Sequence, residues 1–342
     1  MDDQIAKHRL LDNDDDDIVK RPRYECNQSN IITYSHICHD MKDVKDELDL
    51  NGIAIYANAI SNDLCDASIN QIWTAMESLI PVNRNDSSSF ELIQRQLCPN
   101  HGGLFQWYHL GHLTSIWDIR LTCLPLFQHL WGVSDLVCSM DGLYFKPPSR
   151  LGIYKKKNWY HVDQGSNRIG LQNWQGAVNL TSNLDDDAAC LSVFFKSHLY
   201  HTEYLSLNHC SKDFVVVDEE YYLNKPGVIV ADVRAPKGAL VLWDSRTVHM
   251  GKQAMTSTAA LRSVAYVSMM PRRCCSVKVQ AKRLQYFHER RTLSHWCDVA
   301  AAFGKFPRYM PLNTSDALIN RSWQDIPGVL KLEDEGSYMS LI

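Results

Sequence analysis

From Asp135 to Met270 the chain is cut into short alternating or apolar runs divided by turn residues, and this texture constrains the fold more than any other feature. The runs are "DLVCSMDGLYFKPP", "IGLQNWQGAVNL", "CLSVFF", "GVIVADV", "GALVLWD", "RTVHMG" and "LRSVAYVSM". A period of two sends successive side chains to opposite faces of a strand, and several short strands at such spacing predict a sandwich or barrel. The expectation is a mainly β protein with helical decoration at both ends.

The flanks read as follows. "NGIAIYANAI" predicts a short strand, and Ser61 can cap a helix in which Cys65, Ile69, Ile72, Trp73, Met76 and Leu79 recur at helical spacing as a core face. "NRNDSSSF" has the composition of a loop, and the stretch from there to about residue 135 is rich in Trp and His but has no clean period. After Pro271, "RRCCSVKVQAKRLQYFHERR" predicts a basic, solvated surface helix rather than a nucleic-acid patch.

Composition narrows the class of function. Hydrophobic residues make up 45% and charged residues 22%, the balance of a globular chain, and the net charge of −4 offers no field to attract nucleic acid. No run approaches the roughly 18 apolar residues of a membrane span, and the first residues lack the apolar centre of a secretion signal. The eleven cysteines, odd in number and without C-x-x-C pairs, read as reduced thiols that mostly fill a core. A soluble, cytoplasmic protein acting on a small molecule is expected, with no nucleic-acid partner and no membrane span; the oligomeric state is open.

Chemistry enters with "NWYHVDQG", Asn158 to Gly165. In extended chain, residues i and i+2 project to one side, so His161 and Asp163 can address one point. His249, after the strand-like "GALVLWD", supplies a third donor. Two imidazoles and a carboxylate on a β scaffold make the facial triad of a non-haem iron site, which leaves coordination positions open. An oxygenase of that kind needs two further electrons, for which 2-oxoglutarate is a common source; its distal carboxylate then needs a cation, and Arg262 at the head of the next strand can grip both its oxygens. Alternation places Arg262 on one face with Val264, Tyr266 and Ser268, and Leu261, Ala265 and Val267 on the other.

The order "HVDQ", "LQNWQGAVNL", "CLSVFFKSH", "GALVLWDSRTVH" and a strand with Arg262 resembles the phytanoyl-CoA dioxygenase-like family of Fe(II)- and 2-oxoglutarate-dependent oxygenases, over roughly residues 45 to 300, with "LDLNGIAIYANAI" as leading strand and "RRTLSHW" near the end. The resemblance implies a double-stranded β-helix, that is, a cupin-like jelly roll. It further implies iron ligands at His161, Asp163 and His249, a 2-oxoglutarate anchor at Arg262, and a cofactor-facing Gln172. The activity implied is hydroxylation of a C–H bond of a small organic or acyl substrate, with release of succinate and carbon dioxide and with ascorbate as accessory reductant. The expected organisation is a disordered tail over 1–23, one oxygenase domain over 24–300 with its jelly-roll core at about 136–271, and a C-terminal extension over 301–342 packed on that domain. One departure stands out: Lys196, Ser197 and His198 occupy a turn where the family commonly has Gly-Ser-His.

Competing readings are specific. His161 could be a satisfied core histidine and Asp163 a turn cap; His201 and Glu203 in "YHTEYL" could pair with His249 instead. Arg246 competes with Arg262, although alternation turns it away from His249, and Asp244 and Ser245 read as turn-formers. Lys155 to Lys157 could meet a phosphate but read better as a solvated strand end. Trp159, Tyr160 and Trp174 could line a pocket or pack in the core. A catalytically inert jelly-roll binding module is the alternative function.

Overall fold

The computed structural model describes residues 31–98, 102–151, 158–304, 318 and 321–342; the tail expected over 1–23 and the run Lys155 to Lys157 lie outside the described residues. Thirteen strands are described: β1 Ile32–Tyr34, β2 Ile53–Tyr56, β3 Leu104–Phe105, β4 Leu136–Cys138, β5 Leu143–Lys146, β6 His161–Val162, β7 Trp174–Asn179, β8 Cys190–Phe194, β9 Val215–Val216, β10 Val230–Val233, β11 Leu240–Asp244, β12 His249–Lys252 and β13 Arg262–Pro271. The helices are α1 Met41–Asn51, α2 Asn62–Leu79, α3 Thr114–Trp131, α4 His201–Leu207, α5 Glu219–Leu223 and α6 Val277–His288.

The strands form two sheets, in the orders β1-β10-β8-β12-β6-β9 and β2-β11-β7-β13-β5-β3, with β4 also on β13. All pairs are antiparallel except β1 with β10. Ile53, Ile55, Ala177, Val241 and Val264 from the second sheet meet Val193, Ala231 and Val233 from the first in one apolar cluster. Side chains of the inner faces thus interdigitate as in a packed sandwich. This is the double-stranded β-helix expected above.

Alternation then assigns the outer faces. Val178, Leu240, Leu242, Ala265 and Val267 of the second sheet turn outward and bury α1, α2 and α3 against them. On the far side, Val162, Phe194, Val215 and Met250 of the first sheet pack on Tyr204 of α4 and Tyr222 of α5. α2 forms as expected: Ser61 accepts a hydrogen bond from the Leu64 amide, and Cys65, Ile72, Trp73 and Met76 are buried. Eight of the described cysteines are buried free thiols, Cys210 is half-buried, and Cys274 is exposed.

One unassigned stretch proves helical, and one expectation needs correction. The stretch without a clean period contains α3, an 18-residue helix that buries Ile116, Trp117, Ile119, Arg120, Cys123, Leu126, Phe127 and Leu130 and has Pro125 inside it. The basic segment does form a helix, α6, but it is not simply solvated. The Arg283 guanidinium is fully buried and donates to the Cys138 carbonyl; just past the helix, buried Arg290 donates to Glu335 Oε1 at 2.6 Å and to the Leu330 carbonyl at 2.8 Å. Val329 pairs with Leu113, and Tyr338 donates to Asp118, so the last described residues lie against α3 and the turn before it. Among the described residues, no helix is long and apolar enough to cross a membrane.

Candidate metal centre

The site begins with one register pairing. β6 and β12 are antiparallel neighbours in which His161 sits directly opposite His249, so both imidazoles emerge on the same face with ring centroids 4.4 Å apart. Asp163 follows two residues after His161 and turns its carboxylate between them. Its Oδ1 lies 3.5 Å from His161 Nε2, and its Oδ2 lies 3.4 Å from His249 Nε2. All three residues are under 9% exposed, and one donor atom from each falls within 4.8 Å of the others.

The imidazoles are oriented alike. His161 Nδ1 hydrogen-bonds the Trp159 carbonyl at 3.2 Å, and His249 Nδ1 the Thr247 carbonyl at 2.9 Å. A carbonyl only accepts, so each Nδ1 carries the proton and each Nε2 lone pair faces the shared point, the tautomer a metal requires. The carboxylate is also held: Gln175 Nε2 donates to Asp163 Oδ2 at 2.9 Å, and Trp296 Nε1 to the Asp163 carbonyl at 3.1 Å. Arg168 stacks 3.5 Å over the Trp296 ring, and His295 Nε2 lies 3.9 Å from Asp163 Oδ2. Burial alone would raise the Asp163 carboxyl, but the surrounding imidazoles, His295 first and then His161 and His249, outweigh it and hold it well below the usual range. Burial, above all, pushes His161 down to about 4, so it stays neutral and able to bind metal at neutral pH. Two imidazole nitrogens and one ionised carboxylate oxygen, all prepared as acceptors, fit a divalent iron.

Beside the cluster, between the sheets, lies a cleft of about 70 Å³, partly open to solvent, lined by Tyr144, Trp243, Lys252, Gln253, Arg262 and Tyr266 among others. Trp243 also lies 5.4 Å from the His249 ring, so cleft and cluster adjoin. Arg262 is 9% exposed, its Nη1 has no hydrogen-bond partner, and burial pushes its guanidinium down to about 10. Val264 and Tyr266 line the cleft with Arg262, while Ala265 and Val267 face the helices, as alternation along β13 requires.

The other residues singled out in the sequence are placed as follows. His201 is a buried histidine bonded through Nε2 to the Gln164 carbonyl at 2.8 Å, and Glu203 is paired with Lys225, so the H-x-E alternative does not assemble. Arg246 grips Asp244 through Nε and Nη2, at 2.9 and 2.6 Å. Asp244 also accepts from the Arg246 amide and so shapes the turn, whereas Ser245 reaches out of it to donate to Gln164 Oε1. Gln172 is not on the strand: it precedes β7 by two residues and donates to the Ile169 carbonyl. Gln175, of opposite parity, is the glutamine that faces the cluster. Tyr160 and Trp174 pack in the outer apolar clusters, whereas Trp159 is 43% exposed and stacks on His161. Lys196 adopts φ 59°, the left-handed conformation in which glycine is cheapest, so the Lys-Ser-His sequence keeps the turn at a cost in strain.

Fold and site together define a double-stranded β-helix bearing a two-histidine, one-carboxylate cluster at the edge of an inter-sheet cleft. No protein-family model matches the chain. It is similar to the "Ava biosynthesis cluster protein O" of Aspergillus versicolor, with 26% identity over 261 residues that span 72% of this chain and 83% of that one. Among solved structures it is similar to the non-heme alpha ketoglutarate dependent carbocyclase SnoK from nogalamycin biosynthesis (16% identity, TM-score 0.45, covering 67% of this chain and 83% of that one). It is also similar to GlcNAc Inducible Gene 2 (DUF1479) of Candida albicans (13% identity, TM-score 0.48, covering 72% and 67%).

Proposed function

We propose that this protein is an Fe(II)- and 2-oxoglutarate-dependent oxygenase that hydroxylates a C–H bond of a small organic substrate. The observation that carries the reading is the convergence of His161 Nε2, His249 Nε2 and the Asp163 carboxylate on one buried point, with both Nδ1 atoms tied to backbone carbonyls. His161, Asp163 and His249 would hold the iron, and three protein ligands leave positions for the co-substrate and dioxygen. When bound, iron and 2-oxoglutarate supply the oxidising power, releasing succinate and carbon dioxide.

The chain's own residues do the rest. Arg262 offers an unpaired guanidinium in the adjoining cleft to the distal carboxylate of 2-oxoglutarate. Gln175 restrains Asp163 through Oδ2, which keeps Oδ1 turned toward the His161 side. An inert binding module would not need two tautomer-fixed imidazoles and an ionised carboxylate aimed at one point.

The test is anaerobic titration of metal-free protein with Fe(II) and then 2-oxoglutarate, watched for the visible charge-transfer band of the chelate. The band should form in wild type and be lost in His161→Ala and His249→Ala. Its absence in wild type would overturn the proposal. Succinate release over candidate substrates follows.

A further inference from the structure

Among the described residues, one face beside the centre is left bare. By alternation, Trp159 shares a side of the chain with His161, and Val216, opposite His161 on the edge strand β9, points the same way, as does Phe214 two residues before it. Val162 and Val215 point the other way into the outer core. Trp159, Phe214 and Val216 are nevertheless 43, 50 and 58% exposed. The Trp159 indole lies nearly parallel to the His161 imidazole, 4.7 Å away at 12°, and the Phe214 ring is 4.6 Å from the same imidazole at 36°.

Scattered exposed apolar side chains are ordinary on a protein surface. These differ in being anchored around an imidazole of the centre. Asp213, next to Phe214, accepts from the Gly165 amide at 3.1 Å and from Arg168 Nε at 2.8 Å, and Arg168 is held in turn by Asp298 at 2.8 Å. A half-buried charged clamp therefore fixes an open aromatic ring beside a metal-ligating residue.

Resting on the oxygenase reading for its catalytic meaning, we propose that Trp159 and Phe214 are specificity-determining residues, and that the substrate carries a planar aromatic or conjugated ring system that lies on this ledge. Flat rings held at fixed orientations present their open faces to another flat ring, and such pairs gain beyond the area they cover. A flexible saturated chain would gain only the area. The ledge borders His161, so a ring bound there brings its substituents to the centre.

The experiment is calorimetric titration of the metal-free, full-length protein with 2-naphthol and with decahydro-2-naphthol, its saturated counterpart. Wild type should bind 2-naphthol about tenfold more tightly than the saturated compound. Trp159→Leu and Phe214→Leu should each weaken 2-naphthol binding roughly five- to tenfold while leaving the thermal midpoint near that of wild type, since both side chains are half-exposed. Val277→Ala, at an 83%-exposed position on α6, should change nothing. Equal affinity for the two compounds, equal affinity in wild type and both ledge variants, or no binding up to the solubility limit of the probe would overturn the inference. The titration needs no metal. Ring-selective binding in a protein that forms no iron–2-oxoglutarate band would therefore defeat the oxygenase reading and leave the ledge, and the reverse result would do the opposite.

Discussion

Arg262→Met should do two opposite things at once. In the ligand-free protein the guanidinium is 9% exposed, its Nη1 is unpartnered, and no carboxylate among the described residues lies within 4.0 Å of it. Burial lowers its pKa from the usual guanidinium range to about 10, which corresponds to roughly 3 kcal/mol by which the site disfavours the charge before any ligand arrives. A carboxylate entering the cleft would relieve that penalty, so removing the cation should weaken 2-oxoglutarate binding by about a hundredfold. Methionine fills similar space without charge, so the same variant should unfold a few degrees above wild type when no ligand is present. Calorimetric titration of 2-oxoglutarate into protein loaded with Mn(II) as a redox-inert stand-in gives the first quantity; thermal scans with and without 2-oxoglutarate give the second. Wild type should gain stability from the ligand and Arg262→Met should not. Unchanged 2-oxoglutarate affinity in Arg262→Met, together with a lower ligand-free midpoint, would show that this arginine is structural and that the distal carboxylate binds elsewhere.

The remaining predictions test the centre and its supports. His201→Ala should retain metal binding while losing about 1–2 kcal/mol of stability with its buried hydrogen bond to Gln164, measured by urea unfolding and metal analysis side by side. Gln175→Leu, which frees Asp163 Oδ2, should lower Fe(II) affinity about 10- to 100-fold by competition with a chelating dye while the fold persists. Lys196→Gly should raise the urea midpoint by an equivalent of about 0.5–1 kcal/mol, because φ 59° costs lysine more than glycine even after the added entropy of the unfolded chain. Burial, and then the Arg120 charge, hold His112 neutral well below its ordinary pKa. The unfolded chain therefore takes up that proton first, and stability falls as pH drops below about 6.5, by up to about 1.4 kcal/mol per pH unit. His112→Leu should flatten that slope between pH 6.5 and 5; an unchanged slope would exclude His112 as its source.

Much of the fold was readable because its strands alternate cleanly and α2 carries both a serine cap and a regular apolar stripe. α3 escaped for the opposite reason. Its buried residues run most of the way round the helix, from Ile116 and Trp117 to Ile119 and Arg120, because it is enclosed by the second sheet on one side and by the segment carrying Tyr338 on another. A helix buried on most sides has no polar stripe to set its period, Leu113 offers no side-chain cap, and Pro125 argues locally against helix. The arginines near α6 misled in a similar way. Whether Arg283 and Arg290 meet water or the Cys138 carbonyl and Glu335 depends on partners 145 and 45 residues away, which composition does not reveal.

At the centre, the sequence disclosed what strand parity could carry and little beyond it. His161 and Asp163 share a side because they are two apart, and Arg262 reaches the cleft with Val264 and Tyr266 by the same rule. Parity also held the signal that separates Gln172 from Gln175: Trp174 and Val178 are large apolar residues of one parity, suited to an outward core, which leaves Gln175 and Ala177 facing inward. What parity could not convey is support from distant chain. Trp296 on the Asp163 carbonyl, His295 beside its carboxylate and Arg168 stacked over Trp296 all depend on "RRTLSHW" folding back more than 120 residues. These contacts decide how firmly Asp163 is held. A carboxylate free to rotate would offer iron either one oxygen or two, whereas one already restrained through Oδ2 and its own carbonyl presents a defined ligand. The segment carrying His295 and Trp296, which supplies none of the three clustered side chains, is therefore part of the geometry on which the cluster depends.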